Sequence, residues 1–225
     1  MKKLKSLLAL VIVFAALIFT ATGAVVPPVL QDLQKKMAAV KTVYLEFTQE
    51  RVLKLFSDPL KSEGVMLIER PDKIRWETTA PYQTILIGDR NSVAQFEAND
   101  GKWEKLKLGF PQLLQHVLQQ MAAMNQGNVN VMLNDYDVSV TTNTDIILTC
   151  IPKDASVRGM MSSLEIKLQP DLSATREVVL NEPNGDLTRI TFTRTKYDAT
   201  FPAGTFDQTK PLAIADVKAV VKHAP

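Results

Sequence analysis

Between Val43 and Lys196 the chain is a succession of about a dozen short runs of strand character, most of them alternating apolar with polar residues. In the first, Val43, Leu45 and Phe47 alternate with Tyr44, Glu46 and Thr48, the period of a strand with one face on a core and one in water. Further runs cover 64–70, 73–79, 84–89, 93–97, 103–108, 129–133, 136–141, 145–151, 163–169, 175–181 and 187–196. Pro71-Asp72, Ala80-Pro81 and Asn184-Gly185 punctuate them, and the last is a strong hairpin signal. Strands joined by such short turns, with no helix alternating between them, pair antiparallel and curl into a barrel or part of one. No internal repeat or low-complexity linker interrupts the pattern. Residues 25–225 therefore read as a single domain of α+β class, mainly β with helices.

Two segments have helical spacing instead. After Pro27-Pro28, apolar residues recur at 29/30, 33, 37 and 40, and Pro28 suits a helix start. Between Phe110 and Met124, apolar side chains at 110, 113, 114, 117, 118 and 121 line one face, and glutamines with His116 take the other. This second helix, 111–124, is inserted in the middle of the strand series. It fits either an ordinary plug of the core or a movable lid over an apolar cavity.

The first 24 residues are of another kind. Lys2, Lys3 and Lys5 precede thirteen consecutive apolar residues, Leu7 to Phe19, and Thr20 to Ala24 are small. These are the parts of a cleavable secretory signal peptide, with the cut expected after Ala24. An uncleaved anchor fits less well, because thirteen residues rise only about 20 Å as a helix against a hydrocarbon core of about 30 Å. No cysteine stands at the exit to carry a lipid. Without the leader, the formal charge of +2 becomes −1, from 23 basic and 24 acidic residues. A near-neutral mature chain argues against nucleic acid as a partner.

Little in the chain points to bond-making chemistry. There is no Gly-rich phosphate loop, no nucleophile elbow and no H-E-x-x-H. His116 and His223 have no triad or metal partner at a suitable spacing. Cys150 shares an alternating face with Ile146 and Leu148, which makes it a buried, inert thiol. The pairs Glu46/Glu50 and Asp135/Asp137 have same-face strand spacing and could serve a glycosidase, but wet-face carboxylates are the plainer reading. Met121, Met124, Met132, Met160 and Met161 add adaptable apolar side chains, suited equally to a lipid cavity or an irregular core.

One block is more specific. Phe47-Thr48-Gln49, then Gly64, then Arg70-Pro71-Asp72-Lys73-Ile74-Arg75-Trp76, then Pro81 and Ile85-Leu86-Ile87 resemble the N-terminal signature of the outer-membrane lipoprotein carrier proteins, the LolA-like periplasmic chaperones. In outline Asn184-Gly185, Ile190-Thr191-Phe192, Phe206 and Pro211 match the C-terminal half. The resemblance implies a curved antiparallel half-barrel of about 11–12 strands with an amphipathic helical lid. It also implies a carrier, not an enzyme, that takes up acyl chains without a cofactor or metal. Ile74 and Trp76, with Leu45 and Phe47, would then wall the cavity. Leu114, Val117, Leu118 and Met121 would form the lid face, and Arg70 a polar group at the mouth. The apolar hairpin segment 50–60 resembles a subgroup associated with exporters of lipids or polyene-type compounds, which leaves the cargo open.

The implied setting is the periplasm. The implied partners are a lipoprotein or other acylated lipid, an inner-membrane donor complex or lipid exporter, and an outer-membrane acceptor, with the carrier itself a monomer. The alternative on the same half-barrel is a lipid-sensing regulatory protein that signals to an inner-membrane partner.

Overall fold

The computed structural model describes residues 26–108, 115, 118 and 128–213. The expected leader 1–24 and the expected lid-face residues Leu114, Val117 and Met121 lie outside the described residues. The chain opens with helix α1, Pro28–Met37, which starts on Pro28 and buries Leu30, Leu33 and Met37 along one stripe. Strands β1 (Thr42–Val52), β2 (Leu60–Glu69), β3 (Lys73–Ala80), β4 (Thr84–Gly88), β5 (Val93–Asn99) and β6 (Lys102–Leu106) follow. Helix α2, Val129–Asp135, leads into β7 (Tyr136–Thr142) and β8 (Ile146–Pro152). The short helix α3, Ala155–Arg158, precedes β9 (Ser163–Leu168), β10 (Thr175–Asn181) and β11 (Leu187–Tyr197).

All eleven strands form one sheet in the order β6-β5-β4-β3-β2-β1-β11-β10-β9-β8-β7. Each described pairing is antiparallel, and β6 and β7 stand at opposite edges, so the sheet is curved but open. This is the expected half-barrel, with one exception in the strand series. Residues 129–133 are not a strand but the core of α2. There Val129 and Met132, three apart, point into the interior and are buried. The run Val129-Asn130-Val131 imitates a strand's alternation, and packing against the concave sheet face decides for the helix.

The inner face is a set of cross-strand apolar rows. Leu45 lies opposite Met66, Met66 opposite Trp76, and Trp76 opposite Leu86. On the other half Ile190, Val178, Ile166, Leu148 and Val140 form a second such row. Side chains from α1 and α2 fill the concavity between these rows.

The outer face does not match the expected wet surface throughout. On β1 to β5 it is apolar, with Tyr44, Val65, Leu67, Ile85, Ile87, Ala94 and Phe96 all buried. The C-terminal segment 199–212 covers it as a strap, through Ala199, Phe201 and Phe206. The runs Val65–Ile68 and Ile85–Ile87 were the signal, since unbroken apolar strands are buried on both faces. On β8 to β11 the outer face is instead a charged ladder, with Asp145 at 2.8 Å from both Lys167 and Arg176 and Arg189 3.6 Å from Glu177.

Beneath the strap lies a fully buried ion pair, Arg75 with Glu77. The Arg75 guanidinium donates to Glu77 Oε2 at 2.5 and 3.0 Å, to the Thr205 carbonyl at 3.0 Å and to the Leu212 carbonyl at 2.6 Å. Arg75 thus ties the strap to the sheet. Replacing it by Met leaves the Glu77 carboxylate buried without its partner, at an expected cost of about 3–5 kcal/mol in urea unfolding. The double variant Arg75→Met/Glu77→Leu is expected to recover most of that loss, because no charge then stays buried.

The apolar interior and its cover

Every site residue expected on the sheet reaches the same interior. Leu45, Phe47 and Ile74 are buried in one cluster with α1 and α2, and Trp76 packs against it. Phe47 and Trp76 meet with ring centroids 4.8 Å apart and planes tilted by 52°. Gly64 makes that contact fit. A Cβ there would lie 2.0 Å from the Glu77 carbonyl oxygen and 2.8 Å from Phe47 Cζ, so only glycine allows β3 and the Phe47 ring to approach. The register of β2 against β3 shifts at this point, between Glu63 and Gly64.

Of the expected lid helix, Gln115 and Leu118 are described, both with helical backbone. Leu118 is buried in the interior cluster and sits over Gly88, where an added Cβ would come within 2.8 Å of Leu118 Cδ1. Gln115 Nε2 donates to the carbonyls of Asp89 at 3.3 Å and Arg90 at 2.5 Å. Asp89 also accepts from Asn91 and Ser92 in its own turn, and from Gln208 Nε2 of the strap at 3.1 Å. The β4–β5 turn therefore holds both the segment over the interior and the strap on the outside. Sequence reasoning missed this junction, because the bonds from Gln115 and Gln208 join residues 25 or more positions apart.

Arg70 stands at the end of α1. Its guanidinium donates to the carbonyls of Met37 at 2.6 Å and Ala38 at 3.3 Å. A cation on the last carbonyls of a helix suits the negative end of the helix dipole. Arg70 accordingly fastens the helix that fills the concavity to the β2–β3 turn.

The ionisable groups of the interior are held neutral. Burial pushes the Cys150 thiol up to about 12 and, with weaker electrostatic contributions from Cys150 and Asp135, the Tyr136 phenol to about 12. Burial and then the Asp171 carboxylate likewise raise Tyr197, which donates to the Ser173 carbonyl at 2.6 Å. The carboxylates weighed as catalytic candidates face cations on the outside: Glu46 lies 3.5 Å from Arg194, Glu50 3.3 Å from Lys61, and Asp137 4.0 Å from Lys153. Among the described residues no cluster of His, Cys, Asp and Glu could hold a metal ion, and no helix is long and apolar enough to cross a membrane. The described residues also form a groove of about 480 Å³ between Thr48–Glu50, Lys61–Glu63 and Ala80-Pro81, none of which belongs to the interior cluster.

The structure is an open antiparallel half-barrel whose apolar inner face is filled by α1 and α2 and covered at Leu118. Residues 38–209 match the family described as outer membrane lipoprotein carrier protein LolA, and the chain belongs to that family. It is 22% identical over 215 residues to the outer-membrane lipoprotein carrier protein of Pseudoalteromonas translucida, covering 94% of each chain. To the protein of the same description from Dechloromonas aromatica it is 27% identical over 189 residues, covering 79% of this chain and 81% of the relative. Among solved structures it resembles a LolA superfamily protein from Nitrosomonas europaea, with a TM-score of 0.41 and 8% identity over 78% of this chain and 96% of that one.

The raised thiol gives a direct check on the interior. A group whose folded pKa is raised contributes stability below its unfolded value and loses it as pH climbs toward the folded one. Cys150 is therefore expected to stay a thiol and resist iodoacetamide at about pH 8, and to react once the chain is unfolded in urea. Rapid alkylation of the native protein, read by mass spectrometry, is the contrary result.

Proposed function

We propose that the chain is a periplasmic carrier that takes the acyl chains of a lipoprotein or related lipid into the half-barrel and hands them on toward the outer membrane. The observation that carries this reading is the continuous apolar inner face, packed against α1, α2 and Leu118 in a member of the lipoprotein-carrier family. An acyl chain needs apolar area more than shape, at about 25 cal/mol per Å² removed from water. Leu45, Phe47, Ile74 and Trp76 form the wall in this reading, and Leu114, Val117, Leu118 and Met121 the cover. Burial and release need no covalent step, so the protein is no enzyme and uses no cofactor. Residues 1–24 direct export and are removed, leaving one domain, 25–225, that works as a monomer. An inner-membrane complex or lipid exporter loads it, and an outer-membrane acceptor unloads it.

With the helices seated, the interior is already occupied by the chain's own side chains. Loading exchanges these for lipid, so the seated form and the loaded form must lie close in free energy. The fastenings fit that need. Arg70 holds α1 by two carbonyls, and Gln115 holds the cover by two more. Each is an exposed or partly buried polar contact, worth about 0.5–1.5 kcal/mol for the neutral amide and about 1.5–3 kcal/mol for the guanidinium, which can break without a large barrier.

The test is native mass spectrometry of the protein purified from the periplasm, with displacement of bound lipid by a fluorescent fatty acid. A one-to-one acyl complex is expected, and its absence together with no fatty-acid binding overturns the proposal. Phe47→Ala or Trp76→Ala is expected to weaken fatty-acid binding by about ten-fold, the loss of one aromatic wall contact. Gly88→Val is expected to unseat Leu118 and speed exchange of the bound probe, measured by stopped-flow fluorescence, with the sheet left intact.

A further inference from the structure

The β4–β5 turn, residues 89–92, is gripped from both faces of the sheet. From the inner side Gln115 Nε2 donates to the carbonyls of Asp89 and Arg90, at 3.3 and 2.5 Å, and Leu118 lies over Gly88, the residue just before the turn. From the outer side Gln208 Nε2 of the strap donates to Asp89 Oδ2 at 3.1 Å and to the Ser92 carbonyl at 3.5 Å. Between the two grips the turn is bonded within itself. Asp89 Oδ1 accepts from the backbone N–H groups of Asn91 and Ser92, at 2.8 and 2.9 Å, and from the Ser92 hydroxyl at 3.2 Å. The Asp89 N–H donates to the Ser92 carbonyl at 2.9 Å. A turn closed in this way moves as one piece, so a shift imposed on its carboxylate reappears at its carbonyls.

The outer grip works from a fixed base. The buried Arg75 guanidinium holds the carbonyls of Thr205 and Leu212, at 3.0 and 2.6 Å, which flank Gln208 in the sequence. Lys105 Nζ of β6 donates to the carbonyl of Gln208 itself at 3.1 Å. The strap loop 205–212 is pinned at both ends, and its glutamine reaches Asp89 from that frame. An ion pair of Arg90 with Asp72, 3.3 Å long, also reaches the turn. Its arginine side chain is 71% exposed, and so open a pair fixes little.

We propose that Gln208 is a positioning residue for the cover: through Asp89 it braces the β4–β5 turn from the outer face, so that lifting the strap loop 205–212 loosens Gln115 and Leu118 on the inner face. A single Nε2 serves two carbonyls at Gln115, which requires both to stay within reach. A swing of a few tenths of an ångström takes the longer bond, 3.3 Å, past hydrogen-bonding distance. The same swing carries Gly88 away from beneath Leu118. The braced and the unbraced turn are the two states, and the grips on the two faces bias one equilibrium between them. The consequence for cargo, release controlled from the face opposite the cavity, rests on the carrier reading above. The coupling itself does not.

The coupling is read without lipid, by hydrogen exchange and mass spectrometry of the leaderless chain, residues 25–225, on the peptide that carries Gln115 and Leu118. Gln208→Ala is expected to speed exchange of that peptide by about two- to ten-fold, the worth of one hydrogen bond, while peptides from β2 and β3 keep the protection of the parent. A strap contact of purely structural use would leave the inner-face peptide unmoved, and that result overturns the proposal. Lys105→Met loosens the same strap loop without touching Asp89 and is expected to leave the cover at the parent rate. An effect equal to that of Gln208→Ala overturns the route through the turn. Added to Gln115→Ala, Gln208→Ala is expected to change almost nothing, and accelerations that multiply in the double variant overturn the coupling. Stopped-flow release of a fluorescent fatty acid is expected to quicken by a similar factor in Gln208→Ala, with its affinity unchanged. Release at the parent rate beside a faster-exchanging cover overturns the control of release alone. A faster-exchanging cover in a protein that binds no fatty acid supports the coupling and removes the carrier reading instead.

Discussion

A sheet that curls without closing leaves its concave apolar face for something other than sheet to cover. Eleven strands bend here far enough to make an interior, yet β6 and β7 stay at opposite edges. The missing wall is supplied by α1, α2 and the segment bearing Leu118. A closed barrel satisfies its backbone in one continuous ladder and has no edge to cover. An open one joins its cover to the sheet only by side chains, and side-chain contacts can be exchanged. The apolar interior, the polar clamps at Arg70 and Gln115, and the notch at Gly88 all follow from that single geometric fact.

The outer surface follows a different logic on each side of the sheet. Around β1 to β5 it is sealed by the C-terminal strap, which Arg75 and Glu77 hold from beneath. Around β8 to β11 the face is charged, and Asp145, lowered chiefly by its bond to Lys167 and also by Arg176, joins β8 and β10 from the water side. Among the described residues, the large exposed apolar side chains Leu55, Phe56, Leu60, Tyr82, Ile151 and Met160 lie at the end of the sheet where β1 stops.

Much of the architecture was legible in local pattern. Short runs of strand character, most of them alternating, marked all eleven strands, and the 29–40 spacing marked α1, because both signals depend on near neighbours along the chain. That Leu45, Phe47, Ile74 and Trp76 face the interior was legible too, since same-face spacing and a family motif coincide there. Residues 129–133 were misread because a run of five apolar and polar residues fits either period, and the choice of helix is made by the concave surface it packs on. The wet outer face assigned to the first strand was wrong at Tyr44, which a distant strap buries. Arg75 and Glu77 looked like ordinary strand polar residues, and nothing local distinguishes a buried pair from an exposed one.

By itself, then, the order of residues determined the strands, the first helix, the apolar inner face and the absence of a familiar catalytic motif, because each depends on near neighbours along the chain. Tertiary structure decided what covers what. It brought Leu118 onto Gly88, Arg70 onto the end of α1, and residues 199–212 onto the back of β1 to β5. It also gathered the exposed apolar side chains of three separate connections at one pole. These contacts join residues far apart in the sequence, and only the curvature and register of the sheet set which of them meet.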